Sequence, residues 1–315
     1  HVAIQLIKSN FDVVGLIRNQ NIPKCLNGLN IDYCYGDLVD CNTYKDYIKK
    51  CDAVIHTASL TSFNLKNKDE AYLINTTSTK KLLDISVKYN IKRFIYIGTR
   101  GTLAVDKYPE NSSEKNGYKS RNLMDTYLTT KYLAEKEVLK YGRNGELSSL
   151  VLSPTAMIGI FDDKPTPIGK ILLAFLRGEV NTYMDGGINI VDVEDVAFAC
   201  VKALSQGESG EVYIIGNKNI SLYKFFEELS LVHLVKLPRI KLPLFIAFLG
   251  ALSIQAKAML TKKEPLTTIN KVYSLYNNHS FCSSKKAINE FGINKIPLST
   301  TFTKTVNWFV EKHSI

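Results

Sequence analysis

The sequence predicts an α/β protein, a doubly wound parallel sheet with a smaller, mostly helical C-terminal lobe. Two observations lead to this prediction. Short runs rich in β-branched and aromatic residues alternate with helical segments as far as Pro154, which is typical of a parallel sheet covered on both faces. Beyond Pro154 the alternation loosens and helical patterns dominate. We therefore expect an α/β domain at residues 1–155, and a segment at 156–315 that completes the sheet and forms the smaller lobe.

The elements of the first half are predicted from hydrophobic pattern alone. Residues 1–9 have an amphipathic helical pattern, and residues 11–18 have that of a buried strand. Further strands are predicted at residues 31–38, 53–58, 93–98 and 149–153, and helices at 42–50, 68–89 and 125–137.

The beginning of the chain departs from the usual pattern. A doubly wound nucleotide-binding fold opens with a strand and a glycine-rich turn before its first helix. This chain begins at His1 with a helical segment, and no glycine cluster follows a strand at that spacing. We expect a fragment that starts just after the third glycine, with the phosphate-binding turn outside this sequence.

The second half has fewer strand signals. A helix is predicted at 168–177, and short strands are predicted at 189–193 and 211–215. Asp192 or Asp195 would cap the helix that follows the first of these strands. Paired carboxylates also perform acid–base catalysis, but capping explains these two more simply.

Composition bounds the function. The chain has 315 residues, 45% of them hydrophobic and 22% charged, with a net charge of +10. The lysines are scattered, so we expect no nucleic-acid partner, although positive charge favours an anionic cofactor. The six cysteines form no Cys-x-x-Cys pair, so no disulfide framework and no metal site is predicted. The apolar run at 242–254 is shorter than the ~20 residues that span a bilayer, so we expect a cytoplasmic protein without membrane insertion.

The candidate chemistry lies on the helix at 125–137. Tyr127 and Lys131 are four residues apart, which puts both on one helix face. An ammonium beside a phenol lowers the phenol's pKa from near ~10, so that the tyrosine can exchange protons with an alcohol or carbonyl. Tyr132 and Lys136 repeat this spacing in a chain with 17 tyrosines, so the spacing alone does not identify a site.

The context of the two pairs differs. The stretch from Tyr127 to Glu135 resembles the Y-x-x-[ST]-K-x-x-[AS]-E signature of extended short-chain dehydrogenases/reductases, which have Rossmann-type folds. The resemblance covers nearly the whole chain and is strongest to the dihydroflavonol 4-reductase-like branch, which includes bacterial hopanoid-associated sugar epimerases. It is carried by RFIYIGTRGTLA (93–104), DTYLTTKYLAE (125–135), SPTAMIG (153–159), DDKPTPIGK (162–170), NIVDVEDVA (189–197) and NWF (307–309).

The resemblance implies a catalytic set. Tyr127 would be the general acid, and Lys131 would lower its pKa and hold the nicotinamide ribose. The third position, usually serine, falls on Thr99, with Thr102 as a second candidate. The alternative for Thr99 is a local bond to the backbone of its turn.

The resemblance also implies a nicotinamide dinucleotide cofactor, NADP with NAD possible. Arg18 ends a strand where an arginine accommodates the 2′-phosphate of NADP, unless it is an ordinary solvated charge. Asp37 and Leu38 resemble the adenine-contacting pair, although Asp37 could instead cap a helix. The remaining implied cofactor-binding positions are the turn Thr57-Ala58-Ser59, Asn75 in NTTST, and Pro154. His56, next to that turn, is expected to be a core residue.

The predicted function is NAD(P)-dependent reduction of a carbonyl on a small organic substrate, by a Tyr/Lys/Thr proton relay and hydride transfer. One alternative is a nucleotide-sugar epimerase or dehydratase that uses the same site. The other is a non-catalytic dinucleotide-binding protein. The expected partner is a small-molecule substrate, with a homodimer as a further possibility.

Overall fold

The computed structural model describes residues 1–18, 22–61, 68–104, 111–118, 125–261, 272 and 279–315. The first half alternates strands and helices as predicted, although several strands are shorter than expected. Its elements are α1 (Val2–Lys8), β1 (Val14–Ile17), β2 (Asp32–Tyr35), α2 (Lys45–Ile48), β3 (Ala53–His56), α3 (Lys68–Tyr72), α4 (Ser78–Lys88), β4 (Arg93–Ile97), α5 (Thr126–Arg143) and β5 (Ser149–Pro154).

The second half is mostly helical, as predicted. Its elements are β6 (Ala156–Ile158), α6 (Pro167–Leu176), β7 (Thr182–Tyr183), β8 (Gly187–Asp192), α7 (Val193–Lys202), β9 (Val212–Ile215), β10 (Lys218–Ser221), α8 (Leu222–Val232), β11 (Ile240–Lys241), α9 (Leu244–Thr261), β12 (His279–Ser280), α10 (Lys285–Phe291) and α11 (Leu298–His313). The short strands β6, β7, β10, β11 and β12 were not predicted, because two to four residues carry no recognisable period and form strands only by pairing with distant partners.

The main sheet is parallel and has the order β3-β4-β5-β9. Its residues alternate between two cores, as the period of a strand requires. Phe94 and Tyr96 of β4 pack in the core under α4 and α5, whereas Ile95 packs in the core under α7 and α10. The sheet is therefore covered on both faces. Among the described residues β1 pairs with β2 alone, in a separate two-stranded parallel sheet.

The second half contributes to both parts of the molecule. Strand β9 pairs with β5 and extends the main sheet. Strands β6, β10 and β12 pair with β8, whereas β7 and β11 pair with each other. The core of this part includes Phe175 of α6, Phe225 of α8 and Phe302 of α11. The division between residues 155 and 156 stays a prediction.

Two acidic residues in this half have structural roles. Asp192 caps α7, since its side chain accepts a hydrogen bond from the Glu194 amide at 2.8 Å. Asp195 instead accepts from the amide of Ile296 at 3.2 Å. The capping prediction is confirmed for Asp192. In the part of the chain that the structure describes, no helix is long and apolar enough to cross a membrane.

Candidate active site

Most of the predicted site residues lie at the carboxyl ends of the parallel strands. The turn Thr57-Ala58-Ser59 directly follows β3, Thr99 follows β4 after Gly98, and Pro154 is the last residue of β5. Because β3, β4 and β5 are adjacent and parallel, these three places lie along one edge of the sheet. Ligands of open α/β sheets bind at this edge.

Three further predicted residues follow the β1–β2 pair. Arg18 is exposed directly after β1, and Asp37 and Leu38 follow β2. The Asp37 carboxylate accepts a hydrogen bond from the Val39 amide at 2.9 Å. The residue that caps the next helical turn is Asp40, so the capping alternative for Asp37 is wrong.

Helix α5 brings Lys131 to the same edge. The helix is capped by Asp125, whose side chain accepts from the Leu128 amide at 3.1 Å. The Lys131 ammonium is buried, donates to the Ile97 carbonyl oxygen at 2.6 Å, and lies 4.2 Å from the centre of the Tyr96 ring. Lys131 is thus held at the end of β4, at Ile97, which is two residues before Thr99 in the chain.

The electrostatics of the Tyr127–Lys131 pair differ from the prediction. Burial, with a smaller contribution from Asp125, raises the pKa of Tyr127 to about 12. Burial also lowers the pKa of Lys131 to about 7, against the opposing effect of Glu135. The predicted lowering of the Tyr127 pKa by Lys131 is therefore not observed in this structure, where desolvation dominates.

Glu135 is not among the predicted site residues, yet it belongs to this buried cluster. Burial raises its pKa to about 7, opposed by a hydrogen bond from Thr102 and by the charge of Lys131. The Thr102 hydroxyl lies 3.1 Å from the Glu135 carboxylate and 2.9 Å from the Thr99 carbonyl oxygen. Its position four residues after Lys131, on the same helix face, could have predicted that Glu135 belongs to the site.

Gly98 explains how α5 and β5 come so close to the end of β4. A Cβ at this position would lie 2.9 Å from Val151 Cγ1, 3.0 Å from Ser153 Oγ and 3.4 Å from Glu135 Oε2. A serine or any larger residue at this position would therefore collide with its neighbours.

The Thr99 hydroxyl makes the local bond that was the alternative to a catalytic role. It accepts from the Gly101 amide at 3.2 Å and caps the helical turn at residues 100–102. A hydroxyl that accepts one bond still has its own hydrogen to donate. Both uses are therefore compatible in one side chain.

Asn75 is buried where the predicted helix at 68–89 is interrupted by a π-helical turn, Leu73–Thr77. Its amide nitrogen donates to Thr130 Oγ1 and to the Leu60 carbonyl oxygen, both at 3.0 Å. Its amide oxygen accepts from the Leu60 amide at 2.7 Å and from the Ser59 hydroxyl at 3.2 Å. These four bonds use its full bonding capacity. Asn75 thus ties the turn after β3 to α5.

The second tyrosine–lysine pair lies elsewhere on α5. The Tyr132 ring stacks on Tyr118 at 3.5 Å between centroids, and the Lys136 ammonium lies 6.0 Å from the Tyr132 ring. His56 is a bonded core residue, as predicted. It lies 2.9 Å from Thr79 Oγ1, and burial lowers its pKa to about 3.

The residues at this edge fit a polar, anionic dinucleotide. Among the described residues, the hydroxyls of Ser153 and Thr155, on either side of Pro154, are buried polar groups without a hydrogen-bond partner. Thr57 and Ala58 are small and exposed, so a ligand can approach their backbone closely. Lys131 places its amino group at the end of β4, on the same edge.

A family model and two relatives match the amino-acid sequence. The model of the NAD dependent epimerase/dehydratase family matches residues 1–216, so the chain belongs to that family. The chain is 27% identical over 308 residues to a Synechocystis sp. protein named "Putative dihydroflavonol 4-reductase", with 96% of this chain and 89% of the relative covered. It is 24% identical over 309 residues to sterol demethylase protein B of Methylococcus capsulatus, with 96% and 92% covered.

Solved structures share the fold. The structure of gox2253 superposes with a TM-score of 0.85 at 28% identity, covering 98% of this chain and 94% of that one. UDP-glucose 4-epimerase from Thermotoga maritima superposes with a TM-score of 0.78 at 18% identity, covering 99% and 95%. The chain is thus an enzyme of the extended short-chain dehydrogenase/reductase type with a Rossmann-like fold.

Proposed function

We propose that the protein uses NADPH to reduce a carbonyl group on a small organic substrate, with NADH as a weaker cofactor. The observation that carries the proposal is the bond from Lys131 to the Ile97 carbonyl oxygen. It holds the Tyr127–Lys131 face of α5 at the strand edge where Thr99 and the Thr57-Ala58-Ser59 turn also lie. Two relatives with reductase names, the Synechocystis protein and cinnamoyl-CoA reductase 1 of Petunia hybrida, support the same reaction class.

Each residue has a defined task. The dinucleotide, when bound, supplies the hydride that adds to the carbonyl carbon. Tyr127 donates its phenolic proton to the developing alkoxide oxygen, and its raised pKa keeps that proton in place at neutral pH. The Thr99 hydroxyl donates a hydrogen bond to the same oxygen. Lys131 holds the nicotinamide ribose, and in its charged form it would favour the phenolate that results.

The residues at the ends of β1, β2, β3 and β5 bind the cofactor in this proposal. Thr57, Ala58 and Pro154 lie against the dinucleotide, and the exposed Arg18 binds the 2′-phosphate of NADP. A guanidinium suits a phosphate because its planar fork makes two parallel hydrogen bonds. Asp37 and Leu38 lie beside the adenine. Asn75 acts as a positioning residue, since its bonds are made to Leu60, Ser59 and Thr130.

The reaction class is tested by following cofactor oxidation with a panel of aldehydes and ketones. We expect one NADPH consumed for each alcohol formed. An epimerase would instead convert a nucleotide sugar without net consumption of cofactor, and that result would contradict the proposal.

The cofactor assignment is tested by Arg18→Ala. We expect NADPH to bind at least about tenfold more weakly, because one charge-assisted bidentate contact is lost, while NADH binding is unchanged. Lys50→Ala, which removes another exposed cation, is the control. Equal weakening of both cofactors would contradict the role of Arg18.

A further inference from the structure

Helix α9 has its large apolar residues on the outside. Phe245 is 71% exposed and Ile246 is 51% exposed, and Phe248, Leu249 and Leu252 are exposed as well. The residues that face the protein are small, Ala247 and Ala251, which pack with Met184 and Leu244. An ordinary surface helix has the opposite arrangement. We call the five exposed residues the outer face of α9.

The segment just before α9 continues this surface. Leu231 is 76% exposed, Leu234 is fully exposed and Ile240 is 60% exposed. Strand β11, which contains Ile240, pairs with β7, and Met184, the residue after β7, packs against α9. Strand β11 and α9 are therefore held close together through β7 and Met184. Contiguous apolar surface of this kind marks a contact site.

The charged residues of the segment from 229 to 261 are all basic. Between residues 229 and 261 the sequence has no Asp or Glu, and it contains Lys236, Arg239, Lys241 and Lys257. Lys241 pairs with Asp185 at 2.8 Å. Lys236 and Arg239 are exposed and line a cavity of about 450 Å³ together with Tyr183 and Tyr223. Apolar side chains with flanking basic residues are the composition that binds anionic lipid surfaces.

The charges also argue against a second copy of this chain. A two-fold dimer through this face would place the same patch against itself. Lys236 and Arg239 would then oppose their own counterparts without a carboxylate from this segment to pair with them. An anionic membrane surface satisfies both the apolar residues and the cations.

We propose that the outer face of α9, flanked by Lys236 and Arg239, docks flat on the surface of an anionic membrane. The apolar side chains enter the boundary between headgroups and acyl chains. The basic residues contact the phosphodiester headgroups. The contact is interfacial, so it requires no spanning helix.

The test is flotation of the full chain with vesicles of phosphatidylcholine alone or with phosphatidylglycerol added. We expect binding to the mixed vesicles and little to the neutral ones. Phe245→Asp with Leu249→Asp should reduce binding at least about tenfold. The two substitutions replace apolar side chains by carboxylates, which anionic lipid repels. Lys236→Glu with Arg239→Glu should abolish the preference for anionic lipid.

Two matched controls keep the test interpretable. Ile171→Asp replaces an exposed apolar residue of α6, and Lys80→Glu with Lys81→Glu makes the same charge change on α4. Both should bind like the unmodified chain, and thermal melting of every variant shows whether it is folded. The proposal would be overturned if the unmodified chain did not bind the mixed vesicles. It would also be overturned if Phe245→Asp with Leu249→Asp left the binding unchanged. Self-association that this double variant abolishes, without vesicle binding, would assign the face to a second copy instead.

Discussion

Helix α5 carries two tyrosine–lysine pairs with the same spacing, and the structure treats them differently. On the inner face, Lys131 is buried and bonded to the end of β4, and Tyr127 is desolvated beside it. On the other face, Tyr132 stacks on Tyr118, and Lys136 is exposed near that ring. A motif acquires chemistry from what its face of the helix packs against, and the spacing alone does not supply it.

The largest difference between the faces is expected for the lysines. Lys131→Met keeps the packing of the side chain but removes its charge, so we expect both cofactor binding and turnover to fall, turnover by roughly 10²–10⁴-fold. Lys136→Met should leave both unchanged. Cofactor titration and steady-state rates check this. Loss of activity in Lys136→Met alone would mean that the reacting face is the outer one.

Asn75 tests whether the inner face depends on its attachment to the turn after β3. Asn75→Ala removes four hydrogen bonds and leaves the Leu60 backbone groups without these partners. We expect a loss of about 1–3 kcal/mol in the free energy of unfolding for each buried group left unsatisfied, together with weaker cofactor binding.

Thr76→Val is the control for Asn75→Ala. It removes only the bond from the Thr76 hydroxyl to the Thr130 carbonyl oxygen. Denaturant unfolding and cofactor titration measure both variants. An Asn75→Ala variant as stable as Thr76→Val would show that the four bonds do not hold the turn to α5.

Gly98 tests how closely the inner face must approach the sheet. Gly98→Ala places a methyl group 2.9 Å from Val151 Cγ1 and 3.0 Å from Ser153 Oγ. We expect it to destabilise the protein by about 1–3 kcal/mol, as overpacking does, in thermal or chemical unfolding. Gly145→Ala adds a methyl group where nothing lies within 4 Å, although its φ of +73° carries its own backbone strain. Unchanged stability in Gly98→Ala would contradict the close approach.

Glu135 is tested by the pH dependence of stability, where only part of the pH range is affected. Its pKa is raised from 4.5 to about 7 in the fold, so the folded state binds more protons than the unfolded one between these values. The contribution of Glu135 to stability therefore decreases as pH rises through this range, whereas the lowered pKa of His56 makes its contribution increase with pH. Glu135→Gln should remove part of that decrease, on the order of 1–3 kcal/mol.

Unfolding measured from pH 4 to 8 checks this prediction. Glu146→Gln, at an exposed position after α5, is the matched control and should follow the unmodified chain. A pH dependence of stability in Glu135→Gln identical to that of the unmodified chain would contradict the raised pKa of Glu135.

Much of the fold follows from local sequence. The runs at 93–98 and 149–153 are apolar because both faces of β4 and β5 are buried, and α5 begins at Asp125, a residue that caps helices. The short strands β6, β7 and β10 are not visible in the sequence, because two to four residues form a strand only by pairing with distant partners. The π-helical turn around Asn75 is likewise set by contacts to α5 and to the turn after β3.

The candidate site shows the same limit. The strand-end positions of Thr57, Thr99 and Pro154 follow from the order of strands and turns, so they were predictable. The pKa directions of Tyr127 and Lys131 were not, because they depend on burial under tertiary neighbours. Likewise, the role of Asn75 in bonding the turn after β3 to α5 can be recognised only when its hydrogen-bond partners are known.

The central claim is that Tyr127 donates the proton in the reduction, and the rate of Tyr127→Phe tests it most directly. We predict that kcat falls by roughly 10²–10⁴-fold, while the Kd for NADPH is unchanged. Tyr132→Phe, one turn further along the same helix, should retain full activity. Retained turnover in Tyr127→Phe, with loss in Tyr132→Phe instead, would contradict the account.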